Sequence, residues 1–506
     1  MIAAPCSGSG KTLLSLCLSA LARKRGQTLQ PFKVGPDYLD PQLLTAVAGR
    51  SCRNLDPLLC GEEWVDRSFH WHGGRAQRVL VEGVMGLFDG RGPGSEGSTA
   101  AIAALLQLPV VLVVEASRQA GSLAALVRGF RDHGPPRIHL AGVVLNRVAG
   151  ERHRALLKEA LEAIDVPLLG ALPPDPALEL PSRHLGLLPA SELADLAERQ
   201  QRWAELAQRH LALEQLWPLL EPPTPDQECR DDPIRWLLGQ ATTAEGKLST
   251  PAREVAAKGW ETEQALPIAI ASDQAFHFRY PEADELLRAV GLAPVAWSPL
   301  ADDPLPEGCR AVLLPGGYPE LHARQLASSR RSLGELRQAA AAGLPIVAEC
   351  GGLLLLGQQL LDQEETPHAM AGVLPFTARR GALSLGYRTA TACTDGLVMR
   401  QGDLVVGHEF HRWQLEPLNM AASREKDLMT GAGRLWQLEG WGCETRVEGW
   451  TTSTLHASWL HLHWAGCPVI PRRLAAASAS AVPLQQSGVI SNLASQGPRP
   501  IRSAGA

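Results

Sequence analysis

Residues 1–26 read MIAAPCSGSGKTLLSLCLSALARKRG, and this stretch decides the fold of the first half of the chain. Gly8 and Gly10 let backbone N–H groups curl around a polyphosphate, Lys11 can reach the β and γ oxygens, and Thr12 offers a hydroxyl to Mg²⁺. The helix that follows adds its positive end. Leu14, Leu18 and Leu21 recur at helical spacing and predict an amphipathic helix over 13–25, preceded by the apolar run 1–4. Strand, glycine loop and helix therefore stand in the order of a nucleotide site of the phosphate-loop type. Pro5 occupies the position where the common G-x-x-x-x-G-K-[ST] pattern has its first glycine. A strand usually runs about five or six residues, so the short apolar run leads to the expectation that translation begins upstream of Met1.

The bulk properties narrow the classes. A chain of 506 residues should hold about two or three domains. Its 45% hydrophobic and 20% charged content is that of a globular protein. A net charge of −5 without a basic stripe argues against a nucleic-acid partner. With no apolar run of membrane length and no leader pattern, neither membrane association nor secretion is expected, and the location expected is the cytoplasm. Ten cysteines without a C-x-x-C pair read as mostly reduced, small apolar residues.

Short apolar runs such as RVLVEGV, PVVLVVEAS and HLAGVVLNRV alternate with helical text and read as buried parallel strands. A second alternating series begins at LPIAIASD and runs to LHASWLHLHWAG. The expectation is an α/β protein of two domains with mainly parallel sheets: a phosphate-loop domain over 1–189, a helical segment and linker over 190–264, of which the linker makes a poor core, and a second α/β domain over 265–470. The stretch 471–506, low in charge and rich in Ala, Ser and Gly, reads as a disordered tail.

Polar residues at the ends of these runs are the site candidates. In PFKVGPDYLDP, Lys33 follows an apolar run and Asp37 and Asp40 lie in a turn where carboxylates can face a metal or a substrate. In VEGVMGLFDG, Glu82 ends a strand, where open parallel sheets present ligands, and Asp89 follows in a glycine turn. Asn146 also ends a strand and could donate to and accept from an adenine edge. Four carboxylates suit a synthetase that admits an acceptor oxygen beside the γ-phosphate. In GLPIVAECGGLLLLGQQL, Cys350 sits where a strand turns through Gly351 and Gly352 into a helix, the layout of a nucleophile elbow. The helix start favours a thiolate, and backbone N–H groups of Gly351 and of Gly316 or Gly317 can hold an oxyanion. His461 and His463, at period two, are expected on one strand face, with His461 as base and His463 orienting it. His408 and His411 form the rival pair.

Read together, AAPCSGSGKT, FKVGPDYLDP, NLDP, VEGVMGLFDG, LNRV, PSRHLGL, PGGYPEL, AECGG, GHEFH and LHASWLHLHWAG resemble the cobyrinic acid a,c-diamide synthase family, in order over residues 2–468. The resemblance implies a dethiobiotin-synthetase-like ATP domain joined to a class I-like glutamine amidotransferase domain. Glutamine would be hydrolysed at Cys350, ATP would activate a corrin carboxylate as an acyl phosphate, and ammonia would displace the phosphate. By the same resemblance Lys11 and Thr12 contact phosphate and Mg²⁺, Glu82 is a metal ligand together with Asp37, and Asp37, Tyr38, Asp40 and Asp89 line the metal and substrate site. The family's His-x-Glu reads His461-Leu-His463 here, so its orienting carboxylate is missing, and Glu115 stands where related ATPases often have Asp. Acceptors compatible with the resemblance are cobyrinic acid, hydrogenobyrinic acid or nickel sirohydrochlorin, and a homodimer is a compatible assembly. A MinD-like switch ATPase is the reading from a different class, disfavoured because Cys6 stands where those proteins carry an extra lysine in the loop.

Overall fold

The structure, a computed structural model, describes residues 1–175, 182–183, 186–187, 192–224, 231–244, 265–417 and 433–483. Part of PSRHLGL, the end of the segment 190–264 and residues 484–506 lie outside the described residues.

The first sheet is built from β1 (Ile2–Ala3), β2 (Leu29–Val34), β3 (Arg53–Leu55), β4 (Arg78–Glu82), β5 (Pro109–Glu115), β6 (His139–Asn146) and β7 (Leu168–Ala171), in the order β3-β2-β4-β1-β5-β6-β7. Every pairing in it is parallel. The central strands are buried on both faces, as their unbroken apolar text requires. The short strands β8 (Ser182–Arg183) and β9 (Gly186–Leu187) pair antiparallel beside it.

The second sheet opens with five parallel strands, in the order β11 (Leu292–Trp297), β10 (Leu266–Ala271), β12 (Val312–Leu314), β13 (Ile346–Glu349) and β20 (Leu455–Ser458). It continues antiparallel through β19 (Cys443–Thr451), β18 (Gly433–Gly440) and the long β16 (Phe376–Ala392), which also pairs with β17 (Leu404–Pro417). The short strands β14 (Gln359–Leu361) and β15 (Pro367–Ala369) complete the edge.

Helices α1 (Lys11–Lys24) and α2 (Leu39–Ala48) cover the first sheet. The helical part of 190–264 packs into a core, and the linker part, read as a poor core, departs from that expectation. Helix Leu196–His210 packs on α1 and buries Trp203, Ala204 and Ala207 in the same cluster as Leu14, Leu18 and Leu21. Helix Pro233–Ala244 inserts Ile234 and Leu237 into a cluster shared by Trp64 of the first half and Leu286 and Trp464 of the second. The tail expectation is corrected as well: Val469–Ser480 forms a helix. Ile470 and Leu474, one turn apart, are buried, Arg473 pairs with Asp403, and an alanine-rich sequence favours helix. Among the described residues no helix is long and apolar enough to cross a membrane.

Trp203→Ala should lower the unfolding free energy by about 3–5 kcal/mol, because a fully buried indole would leave a cavity against α1. The urea midpoint followed by far-UV circular dichroism checks this, and an unchanged midpoint would mean that the helix is not part of the core.

Candidate active site

The chain passes from β1 straight into the glycine loop, where Gly8 (φ +81°) and Gly10 (φ +111°) take left-handed conformations that favour glycine. Gly10 lies against Asn146, whose Nδ2 would stand 2.4 Å from an added Cβ. Asn146 donates to the Ser9 carbonyl at 3.1 Å, so the amide is engaged in holding the loop, whereas the sequence reading turns it toward adenine. Lys11 Nζ donates to the Met85 carbonyl at 2.5 Å and to the Cys6 carbonyl at 3.4 Å. Burial lowers its pKa. Asp89 accepts from the Gly86 N–H at 2.8 Å, closing the turn that carries Met85 at φ +45°.

Lys33 is the hub of this half. Its ammonium stands 2.6 Å from Asp40, 2.8 Å from Glu82, 3.1 Å from the Gly83 carbonyl and 3.7 Å from Asp37. Burial, reinforced by the neighbouring Asp40, pushes the Asp37 carboxyl up to about 7. Burial also opposes ionisation of Asp40, but Lys33 outweighs it and holds that carboxyl below its ordinary value. Burial raises Glu82. Glu82 Oε1 accepts from Thr12 Oγ1 at 2.8 Å, and its Oε2 is buried without a partner. The orphan oxygen and the Thr12 hydroxyl are the hard donors Mg²⁺ prefers. Asp37 does not complete a ligand triad with them. It is held at the Lys33 ammonium, its Oδ1 accepts from the Leu39 N–H at 2.9 Å, and no cluster of three or more acidic, His or Cys side chains suited to a metal occurs among the described residues.

In the second half, Cys350 connects β13 to helix Gly351–Leu356 with φ +47° and ψ −104°, a strained conformation for a residue with a side chain. Its N–H donates to the Ser458 carbonyl at 2.8 Å. A Cβ on Gly351 would lie 2.8 Å from the Gly317 nitrogen, so the two candidate oxyanion glycines meet. Gly352 sits against the Leu314 carbonyl, where a Cβ would come to 2.0 Å. The cavity at Cys350 is lined by Phe278, Gly317, Glu320, His411, Arg412 and Trp459, among others.

His461 stands beside Cys350, with its Nδ1 3.8 Å from Glu349. Burial disfavours its protonated ring, but the Cys350 sulfur and the Glu349 carboxylate overcome this and hold its pKa up to about 10. The orienting role expected of His463 is corrected. Its Nε2 lies 3.6 Å from Glu282, its ring packs 4.2 Å from Tyr280, and burial with Arg53 nearby lowers it to about 3. The reason is local: residues 459–463 are not a strand, since His461 makes only an isolated bridge to His408. Period-two alternation therefore does not apply, and the two rings diverge. Glu349 directly precedes Cys350, yet neighbouring residues of a strand point to opposite faces. The reversal at Cys350 defeats that rule. Of the rival pair, His408 is buried and lowered to about 3, first by burial and then by His461. His411 stacks on Trp459 at 3.9 Å.

The two sites meet at one ring, within a wider seam between the halves. Tyr38, next to Asp37, stacks on Phe278 at 5.0 Å between ring centroids, and lies 4.6 Å from Tyr280 and 5.3 Å from His461. The loops after β2, β10 and β20 thus meet, so the carboxyl ends of the two parallel sheets face each other. Arg53 clamps the seam through Glu285 at 2.6 Å and Glu282 at 3.2 Å, Tyr387 donates to Asp56 at 2.9 Å, and Gln42 donates to the His277 carbonyl at 2.9 Å. Phe278 and Tyr280 carried no motif by which the sequence could single them out.

Comparison with known proteins agrees with this division. Residues 1–188 match the CobQ/CobB/MinD/ParA nucleotide binding domain, and residues 267–468 match the CobB/CobQ-like glutamine amidotransferase domain. The cobyrinate a,c-diamide synthase of Synechococcus sp. is 40% identical over 92% of this chain and 95% of its own. That of Gloeobacter violaceus is 42% identical over 92% and 93%. The hydrogenobyrinate a,c-diamide synthase of Streptomyces coelicolor is 41% identical over 94% and 96%.

Because the folded pKa of His461 is raised from 6.5 to about 10, its contribution to stability is fully present below about pH 6.5 and is lost as pH rises through about 10. Glu349→Gln should bring the ring titration to lower pH, and His463→Ala should leave it in place. An NMR titration of ring-labelled histidine reads both; an unmoved titration in Glu349→Gln would remove Glu349 from the pair.

Proposed function

The chain belongs to the cobyrinate a,c-diamide synthase family, and from that premise we propose that it amidates the a and c acetate carboxylates of cobyrinic acid, with glutamine as nitrogen donor and ATP as activator. One observation carries the reading: Tyr38, which directly follows Asp37 of the carboxylate cluster, packs its ring beside that of His461. Each half has the parts for one half of an amide synthesis, and their contact gives the product of one a route to the other. The Streptomyces relative favours hydrogenobyrinic acid as a second acceptor.

In the glutaminase half, Cys350 Sγ attacks the side-chain amide carbon of glutamine while the N–H groups of Gly317 and Gly351 receive the developing oxyanion. Protonated His461, kept charged by Glu349, gives its proton to the departing nitrogen, and ammonia leaves. Water then cleaves the thioester to glutamate. In the other half, the N–H groups around Gly8 and Gly10, with Lys11, hold the polyphosphate of ATP. Thr12 and Glu82 would hold Mg²⁺, which supplies charge neutralisation at the phosphate oxygens. A corrin carboxylate oxygen takes the γ-phosphoryl group and ADP leaves. Ammonia then attacks the acyl carbon, phosphate departs, and the nitrogen loses a proton, for which Asp37, near neutrality at about 7, is a suitable acceptor. Acyl phosphates hydrolyse in water and ammonium is not nucleophilic, so a dry seam between the halves serves the chemistry.

Incubation with cobyrinic acid, Mg-ATP and glutamine should add two amides, counted by mass spectrometry. Cys350→Ala should abolish glutamine use while ammonium salts still support ATP-dependent amidation, and equal loss with both nitrogen sources would defeat the division of labour. Tyr38→Ala should leave glutamine hydrolysis running while the amides formed per glutamine consumed fall several-fold. An unchanged ratio would remove Tyr38 from the route.

A further inference from the structure

Glu320 lies in the short turn Pro319–Leu321 that follows Gly316 and Gly317, and its side chain lines the cavity of Cys350. Only 9% of the residue is exposed. Burial pushes its carboxyl up to about 7, opposed only by a hydrogen bond from its own backbone N–H. Helices Ala323–Ser328 and Gly351–Leu356 pack against this turn. The latter carries no charged residue, and the former carries only Arg324, which is exposed. Among the described residues no cation pairs with Glu320. An isolated carboxylate in such a place is costly unless a cation arrives with the ligand.

Arg412 lines the same cavity, half-buried and without an ion-pair partner among the described residues. Apolar walls come from Phe278, Leu354 and Trp459. A nucleophile, a lone carboxylate, a lone guanidinium and apolar walls match a molecule with an amide at one end, a methylene chain, and an ammonium and a carboxylate at the other. We propose that Glu320 binds the α-ammonium of glutamine and Arg412 its α-carboxylate, so that Glu320 selects the free amino acid from other primary amides. This rests on Cys350 being the glutamine nucleophile.

The test compares glutamine with glutaramate, the same amide without the α-amino group, by ammonia release from the full-length protein. A charge-assisted contact implies that the wild type prefers glutamine by about 10- to 100-fold in kcat/KM. In Glu320→Gln the KM for glutamine should rise by a similar factor with little change in kcat, the preference should collapse, and glutaramate should be used as well as before. Glu320→Asp should recover part of the preference. A preference retained in Glu320→Gln overturns the proposal. So does a wild type that uses both amides equally, an arm that needs no variant to fold. A wild type that hydrolyses neither amide instead overturns the glutaminase reading of Cys350, and the assignment of Glu320 with it.

Discussion

The contact of the Tyr38 ring with Phe278, Tyr280 and His461 is the constraint on which the arrangement of this protein depends. Two parallel sheets each present their loops at the carboxyl ends of their strands, and such ends are where α/β sheets bind ligands. Turning these ends toward each other brings two reactive sites within the reach of one side chain. The seam is held by more than the aromatic stack. Arg53 reaches from β3 to Glu282 and Glu285, and Glu282 in turn stands beside His463. Removing one partner of such a buried set would leave an uncompensated charge, so the relative placement of the two halves resists drift.

Charge is arranged differently on the two sides. In the phosphate-loop half a single cation, Lys33, serves three carboxylates, and the result is an uneven set: Asp40 ionises readily, whereas Asp37 is pushed up to about 7. In the amidotransferase half a single imidazole is placed between a sulfur and a carboxylate and stays protonated. Burial opposes the charge on His461 and on Asp37 alike. For His461 the neighbouring negative groups win, and for Asp37 the neighbouring Asp40 adds to the burial. Carboxylates and an imidazole whose environments push their pKa values apart are the condition for acid and base work at neutral pH.

Much of this was legible in the chain because the devices are short and contiguous. The glycine loop, the acidic turns after β2 and β4, and the cysteine before two glycines each occupy a few residues whose local geometry follows from their type. The misses share a cause. Leu237 and Leu474 lie in stretches whose overall composition reads as linker or tail, and only the neighbours they bury against make those stretches helices of the core. His463 was grouped with His461 by a strand period that the chain does not keep there. A strand rule places Glu349 opposite its neighbour, and the strained φ at Cys350 cancels the rule.

By itself, the sequence determined most of the element types, the two alternating series and the identity of the reactive groups, since backbone propensity, hydrophobic period and side-chain chemistry are properties of nearby residues. Which groups face one another was decided by tertiary structure alone. Glu349 meets His461, Glu282 meets His463, and Tyr38 meets the amidotransferase half only once the loops after β2, β10 and β20 converge. The physical reason is that these pairings are short in space and long in sequence. They are selected by burial and charge compensation across the whole fold, which no local stretch of residues encodes.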